Sequence, residues 1–143
     1  MVRMRDRLEF EFTGFEDFAE RVAQYKSRVV SDIKRRTVQA GMNIQREARL
    51  TVAVDHGYLK NSIKTYNYNR NLSAEVVAEA MYAPFVEYGT GNLVQVPQEL
   101  TESALRFKRG GNRNMKAQPF LWPAEHAERE EYLKDLNEIV NKE

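Results

Sequence analysis

Phe15-Glu16-Asp17-Phe18-Ala19-Glu20-Arg21-Val22 opens a run in which Phe15, Phe18, Val22, Val29, Ile33, Thr37, Ala40, Ile44 and Ala48 recur at close to one residue in 3.6. That spacing lines one face of an α-helix with apolar side chains. Thr13 stands where an N-cap is wanted, and Glu16 follows three residues later as in a capping box. The pattern predicts a helix from about Thr13 to Thr51, with Gly41 as its one weak point. About 38 residues at 1.5 Å each span roughly 57 Å. A compact chain of this length has a diameter of roughly 37 Å. Such a helix either bends near Gly41 or projects, and a projecting helix is most simply covered by another subunit.

Working outward, Leu8-Glu9-Phe10-Glu11-Phe12 alternates apolar and acidic residues and reads as a half-buried strand. After the helix, Val54–Gly57 reads as a turn and Ile63–Tyr68 as a strand of β-prone residues. Asn69–Asn71 forms the next turn, and Leu72–Ala80 the strand that returns. Tyr82–Tyr88 fits a short helical turn, and the two glycines of Gly89-Thr90-Gly91 break it. Thr101–Phe107 suits a short helix. Lys108–Asn114 is basic, rich in Gly and Asn, and without large apolar groups. A last helix is predicted over Pro123–Val140, with Ala127, Tyr132, Leu133, Leu136 and Val140 as its apolar stripe. The expectation is an α+β fold in which a long N-terminal amphipathic helix and a C-terminal helix pack on a small antiparallel sheet. It would form a single domain over residues 1–143, with a flexible basic loop at about 105–116.

Composition narrows the function. Of 143 residues, 42% are hydrophobic and 30% charged, and no apolar run approaches the ~20 residues that cross a bilayer. The opening Met1-Val2-Arg3-Met4-Arg5 leads into charge, so neither a signal peptide nor a membrane role is expected. The absence of cysteine excludes disulfides and thiolate metal sites. A net charge of +1 conceals a local imbalance. Arg106, Lys108, Arg109, Arg113 and Lys116 fall within residues 103–124, which hold no acid, and the terminal segment 125–143 is acidic.

No catalytic constellation emerges. His56 and His126 lie seventy positions apart, and no metal-ligand spacing occurs. Gly89-Thr90-Gly91-Asn92 lacks the Lys and the strand-to-helix context of a phosphate loop. Glu87, between Tyr82 and Tyr88, is more readily a capping or salt-bridge partner than a general base. The expectation is a non-enzyme without cofactor or metal. The basic segment is either a solvated loop or a contact with DNA phosphates or with an acidic surface of a neighbouring subunit. With Lys34-Arg35-Arg36, it supports the alternative of a DNA-binding accessory protein that uses Arg106–Lys116.

Three segments carry a more specific signal. Tyr82-Ala83-Pro84-Phe85-Val86-Glu87-Tyr88-Gly89-Thr90-Gly91 and Ala117-Gln118-Pro119-Phe120-Leu121-Trp122-Pro123-Ala124 resemble the two signature stretches of tailed-phage head–tail joining and tail-completion proteins. Val54-Asp55-His56-Gly57-Tyr58-Leu59-Lys60-Asn61-Ser62-Ile63 resembles a third, with His56 in place of the usual Thr. Trp122 stands where that family often has a charged residue. The resemblance covers about residues 10–125, with the segments in the family's order.

What the resemblance implies is a virion protein, assembled in the host cytoplasm, that forms a sixfold ring in the neck. It would join head and tail or complete the tail. Connector and tail-tube proteins would be its neighbours, and DNA would pass through its centre without sequence reading. Tyr82, Glu87, Tyr88, Gly89, Thr90, Gly91, Phe120 and Trp122 would meet a neighbouring subunit or partner. Arg106, Lys108, Arg109, Arg113 and Lys116 would face the lumen or DNA. The residues themselves leave a second arrangement open, in which the two signature segments fold against each other inside one subunit.

Overall fold

The computed structural model describes residues 2–4, 8–12, 27–52, 57–90, 96–105 and 114–142. In chain order these residues form β1 (Val2–Met4), β2 (Leu8–Phe12), α1 (Ser27–Thr51), α2 (Gly57–Ser62), β3 (Ile63–Tyr68), β4 (Ser73–Ala78), α3 (Ala83–Tyr88), α4 (Thr101–Leu105) and α5 (Leu121–Asn141). The architecture is α+β, as the sequence indicates.

Among the described residues the strands make one antiparallel sheet in the order β1-β2-β4-β3. β3 and β4 are the expected hairpin, joined through Asn69, Arg70 and Asn71, all at positive φ (53°, 56° and 70°). Asn tolerates that region better than most residues, which is why the turn falls there. β2 is the expected strand at Leu8–Phe12 and pairs along β4 from Leu8↔Ala78 to Phe12↔Ala74. β1 was not foreseen, because three residues are too few for alternation to show.

Helix α1 lies across the sheet. Its buried positions, Val29, Ile33, Thr37, Ala40, Gly41, Ile44 and Ala48, are the apolar stripe of the sequence from Val29 onward. Phe15, Phe18 and Val22 lie outside the described residues. At Gly41, where a bend was one option, the helix is continuous and the glycine admits the sheet. A Cβ built there would stand 2.6 Å from Thr65 Cγ2 and 3.2 Å from the Ala74 Cβ. The Thr65 hydroxyl stands 3.1 Å from the Gly41 carbonyl oxygen and 2.7 Å from Gln45 Oε1 and shares its one proton between them, tying β3 to the helix at that crossing.

Among the described residues, two apolar clusters result. The larger joins the C-terminal half of α1 (Ile44, Ala48) to Leu59, Ile63, Val76, Ala78, Ala83, Val86, Tyr88, Leu100, Phe120 and Leu121. The smaller joins the N-terminal half of α1 (Val29, Ile33, Ala40) to Tyr132 and Leu136 of α5. Helix α5 starts two residues before the expected Pro123, and its buried face differs from the predicted stripe. Tyr132 and Leu136 are inside, whereas Leu133 and Val140 are 44% and 38% exposed. Charge turns the helix. Arg36 of α1 donates to Asp135 (2.5 Å) and Glu128 (2.6 Å), so that acidic edge faces inward. Its guanidinium also stands 5.5 Å from the centre of the Tyr132 ring, and the Tyr132 hydroxyl is 2.6 Å from that of Thr37.

Candidate functional site

Helix α3 is six residues long and almost wholly buried, with Pro84 in its first turn. Proline suits that position because its missing N–H would have no helical partner there. Gly89 ends the helix at φ 77° and ψ −177°, a conformation that a side chain resists. Its N–H donates to the Phe85 carbonyl at 2.9 Å.

Glu87, on this helix, is 2% exposed. Its Oε2 accepts from the backbone N–H of Phe120 (2.7 Å) and Leu121 (3.0 Å), and its Oε1 from that of Trp122 (2.8 Å). Those three amides are the N-cap and first two residues of α5. A helix start leaves such N–H groups without partners and carries partial positive charge. Pro123, next in line, has no N–H to satisfy. One carboxylate from a distant segment therefore caps the helix, a task usually left to a local Ser, Thr or Asp. Burial pushes the Glu87 carboxyl above the usual carboxylate range, while the three amides pull the other way. Burial, reinforced by the neighbouring Glu87, also pushes the Tyr88 hydroxyl up.

Further bonds lock the two signature segments together. The Gln118 N–H donates to the Val86 carbonyl at 2.8 Å. Thr90 donates its N–H to the Met115 carbonyl (2.9 Å) and receives the Met115 N–H on Oγ1 (2.8 Å). Phe120 and Leu121 are fully buried beneath them. Of the arrangements the sequence left open, the described chain shows the segments folded against each other within one subunit. Glu87 is a capping group, and Tyr88, Thr90 and Phe120 are turned inward. Gly91 lies outside the described residues.

Two of the expected contact residues reach the surface. Tyr82 precedes α3, is 36% exposed, and has its ring 6.3 Å from that of Tyr58. Beside it Met81 is 93% exposed. Trp122 is half-buried and stacks on His126, with ring centres 4.9 Å apart. With Tyr88, Val96, Pro97, Leu100, Pro119 and Pro123 it lines a cleft of about 260 Å³. Its indole N–H is shielded and meets no acceptor among the described residues. Sequence reasoning passed over Met81, quoted Tyr58 only as part of the third signature segment, and weighed His126 only as a metal ligand; for Met81 the only available signal was that it is large and adjoins a signature segment.

Of the five basic residues, Lys116 is described and exposed, and Arg106, Lys108, Arg109 and Arg113 lie outside the described residues. In the Lys34-Arg35-Arg36 cluster, Arg36 is committed to Glu128 and Asp135, and Arg35 pairs with Asp32. The DNA-binding alternative thus gains no support. Among the described residues, no group of His, Asp and Glu is arranged to hold a metal ion, and no helix is long and apolar enough to cross a membrane.

Residues 16–89, just over half the chain, match the family described as "Bacteriophage HK97-gp10, putative tail-component". The chain belongs to this family. Its role is thereby structural, as a component of the phage tail within the virion, which agrees with the resemblance carried by the three motifs. The matched span runs from before α1 to the end of α3 and includes Glu87, but stops short of Ala117–Ala124, the segment that Glu87 grips. No curated protein and no solved structure matches the chain.

Proposed function

We propose that this tail component forms a closed ring in the phage neck, where it joins head to tail or completes the tail, and that DNA passes through its centre. It works without catalysis, its neighbours are the connector and the tail tube, and six copies make the ring. The observation that carries the reading is the division of labour within the signature segments. Glu87, Thr90 and Phe120 lock them into one rigid unit, while Met81, Tyr82 and Trp122 are left at the surface of that unit. Contact residues on a rigid support fit assembly, because little ordering entropy is lost when subunits meet.

Deleting the gene from its phage and imaging the particles by negative stain tests this role. Filled heads separate from finished tails mean joining, and overlong or unfinished tails mean completion. Normal infectious particles would overturn the proposal.

A further inference from the structure

Helices α1 and α5 each keep one stripe outside the packing between them. On α1 it holds Arg35, Gln39, Met42, Arg46 and Leu50, spaced four, three, four and four residues apart. On α5 it holds His126, Glu130, Leu133, Asn137 and Val140, spaced four, three, four and three apart. Such spacing puts each set on one side of its helix, as in the seam of a coiled coil. All ten residues are exposed. Each stripe is roughly 21–22 Å long and carries two large apolar side chains about two turns apart. These are Met42 and Leu50 on α1, and Leu133 and Val140 on α5.

The two helices are opposite in charge. α1 has six Lys and Arg against Asp32 and Glu47, and α5 has six Asp and Glu against Arg129 and Lys134. Between the helices of one copy this polarity is used at Arg36, which holds Glu128 and Asp135. Much of the rest points outward. Arg35 and Arg46 pair with Asp32 and Glu47 of their own helix, in solvent-exposed contacts that contribute little. Glu130, Glu131 and Glu138 are exposed and have no ion-pair partner among the described residues.

An exposed seam by itself names no occupant. Two seams of one chain that agree in length and in the pitch of their apolar residues, and that lie on helices of opposite charge, fit each other. They cannot meet within one copy, because α1 and α5 already face each other there along Val29, Ile33, Tyr132 and Leu136. We propose that the outer stripe of α1 in one copy docks on the outer stripe of α5 in the next. Met42 and Leu133 are the middle members of their stripes, so they stand opposite each other whichever way the helices run. The contact joins two different patches. It is therefore head-to-tail, the kind that repeats from copy to copy and closes into a ring when the rotation allows. This inference rests on the ring reading above and adds a contact apart from Met81, Tyr82 and Trp122.

Charge reversal on one helix at a time tests it. Arg35→Glu with Arg46→Glu makes the outer stripe of α1 acidic, and Glu130→Lys with Glu138→Lys makes that of α5 basic. All four side chains are exposed, so each double variant should keep the wild-type Tm at low concentration. Alone, each should associate about tenfold more weakly than wild type, or worse, because like charges then face each other across the contact. Mixed, the two should recover association and alternate in one assembly, because each supplies the charge that the other lacks. Wild-type association in both variants alone, or no recovery on mixing, overturns the contact. If wild type is oligomeric by light scattering in that case, the ring reading survives. A wild type that is monomeric at all concentrations removes both. Variants that associate normally in solution but are lost from phage particles would assign the stripes to another virion protein, which also overturns the contact.

The chain has no cysteine, which allows a second readout. Under oxidation, a mixture of Met42→Cys and Leu133→Cys proteins should give disulfide-linked dimers that neither variant gives alone. Linkage of either variant to itself, without mixed linkage, would overturn the head-to-tail contact.

Discussion

Glu87 shows how one side chain can decide whether two segments belong together. Its carboxylate meets three amides for which no other partner stands among the described residues. Glu87→Gln keeps the size but turns an NH2 group toward N–H donors, so at least one amide is left buried and unsatisfied. Hydrogen bonds to a charged group contribute about 1.5–3 kcal/mol each, and an orphaned donor adds its desolvation cost. The substitution is expected to destabilise by about 3 kcal/mol, seen as a fall in Tm of roughly 10 °C. An unchanged Tm would mean that α5 is capped by something else. Gly41 decides a different matter at the same scale. Gly41→Ala gains about 1 kcal/mol of helix propensity but forces a methyl to within 2.6 Å of Thr65 Cγ2. Overpacking of this kind costs about 1–3 kcal/mol, so a net loss near 1 kcal/mol is expected. Thr65→Ser removes the offending methyl and keeps the hydroxyl that bonds Gly41 and Gln45. Chemical denaturation of the double variant should therefore show strong non-additivity, with Gly41→Ala milder in the Thr65→Ser background.

At the scale of elements, the packing of α1 on α5 depends on a charge as much as on apolar area. Arg36→Met removes the cation that Glu128 and Asp135 face, and leaves Glu128, with its side chain 12% exposed, uncompensated. Breaking a buried pair from one side costs about 3–5 kcal/mol, and partial solvent access at Asp135 lowers that to about 2–3. Thermal denaturation should register the loss, and high salt should reproduce little of it, because the Arg36–Glu128 pair is poorly screened. The same ion pair explains where sequence reading stopped. The helix α1 stripe from Val29, the strands Leu8–Phe12 and Ile63–Tyr68, and the turn at Asn69–Asn71 were legible, because each follows from local periodicity or turn chemistry. The buried face of α5 was legible only in part: Tyr132 and Leu136 are inside as the stripe indicates, but Leu133 and Val140 are not, and the acidic edge that takes their place faces Arg36, about ninety positions away in the chain. The site was half legible. The segments Tyr82–Gly91 and Ala117–Ala124 stood out, but which of their residues face inward depends on a cap that crosses from Glu87 to Trp122.

For the whole molecule, the ring reading makes stability a function of concentration. A partner that binds only the folded chain raises its stability by mass action. Each tenfold rise in protein concentration can add up to about 1.4 kcal/mol per contact while the contact is being populated, or roughly 3–5 °C in Tm for a chain of this size. Wild-type protein should therefore melt at a higher temperature as it is concentrated. Met81→Glu should match wild type at low concentration, where both are single subunits, because residue 81 is 93% exposed and supports little of the fold. It should not follow wild type upward. Glu87→Gln should behave oppositely, with a low Tm at every concentration but a retained slope, because its damage is inside the subunit and the contact patches remain. The two variants thus separate folding from assembly in one differential scanning experiment. A wild-type Tm that is flat across the concentration range would show that the chain melts as a lone subunit, and the ring would have to be abandoned.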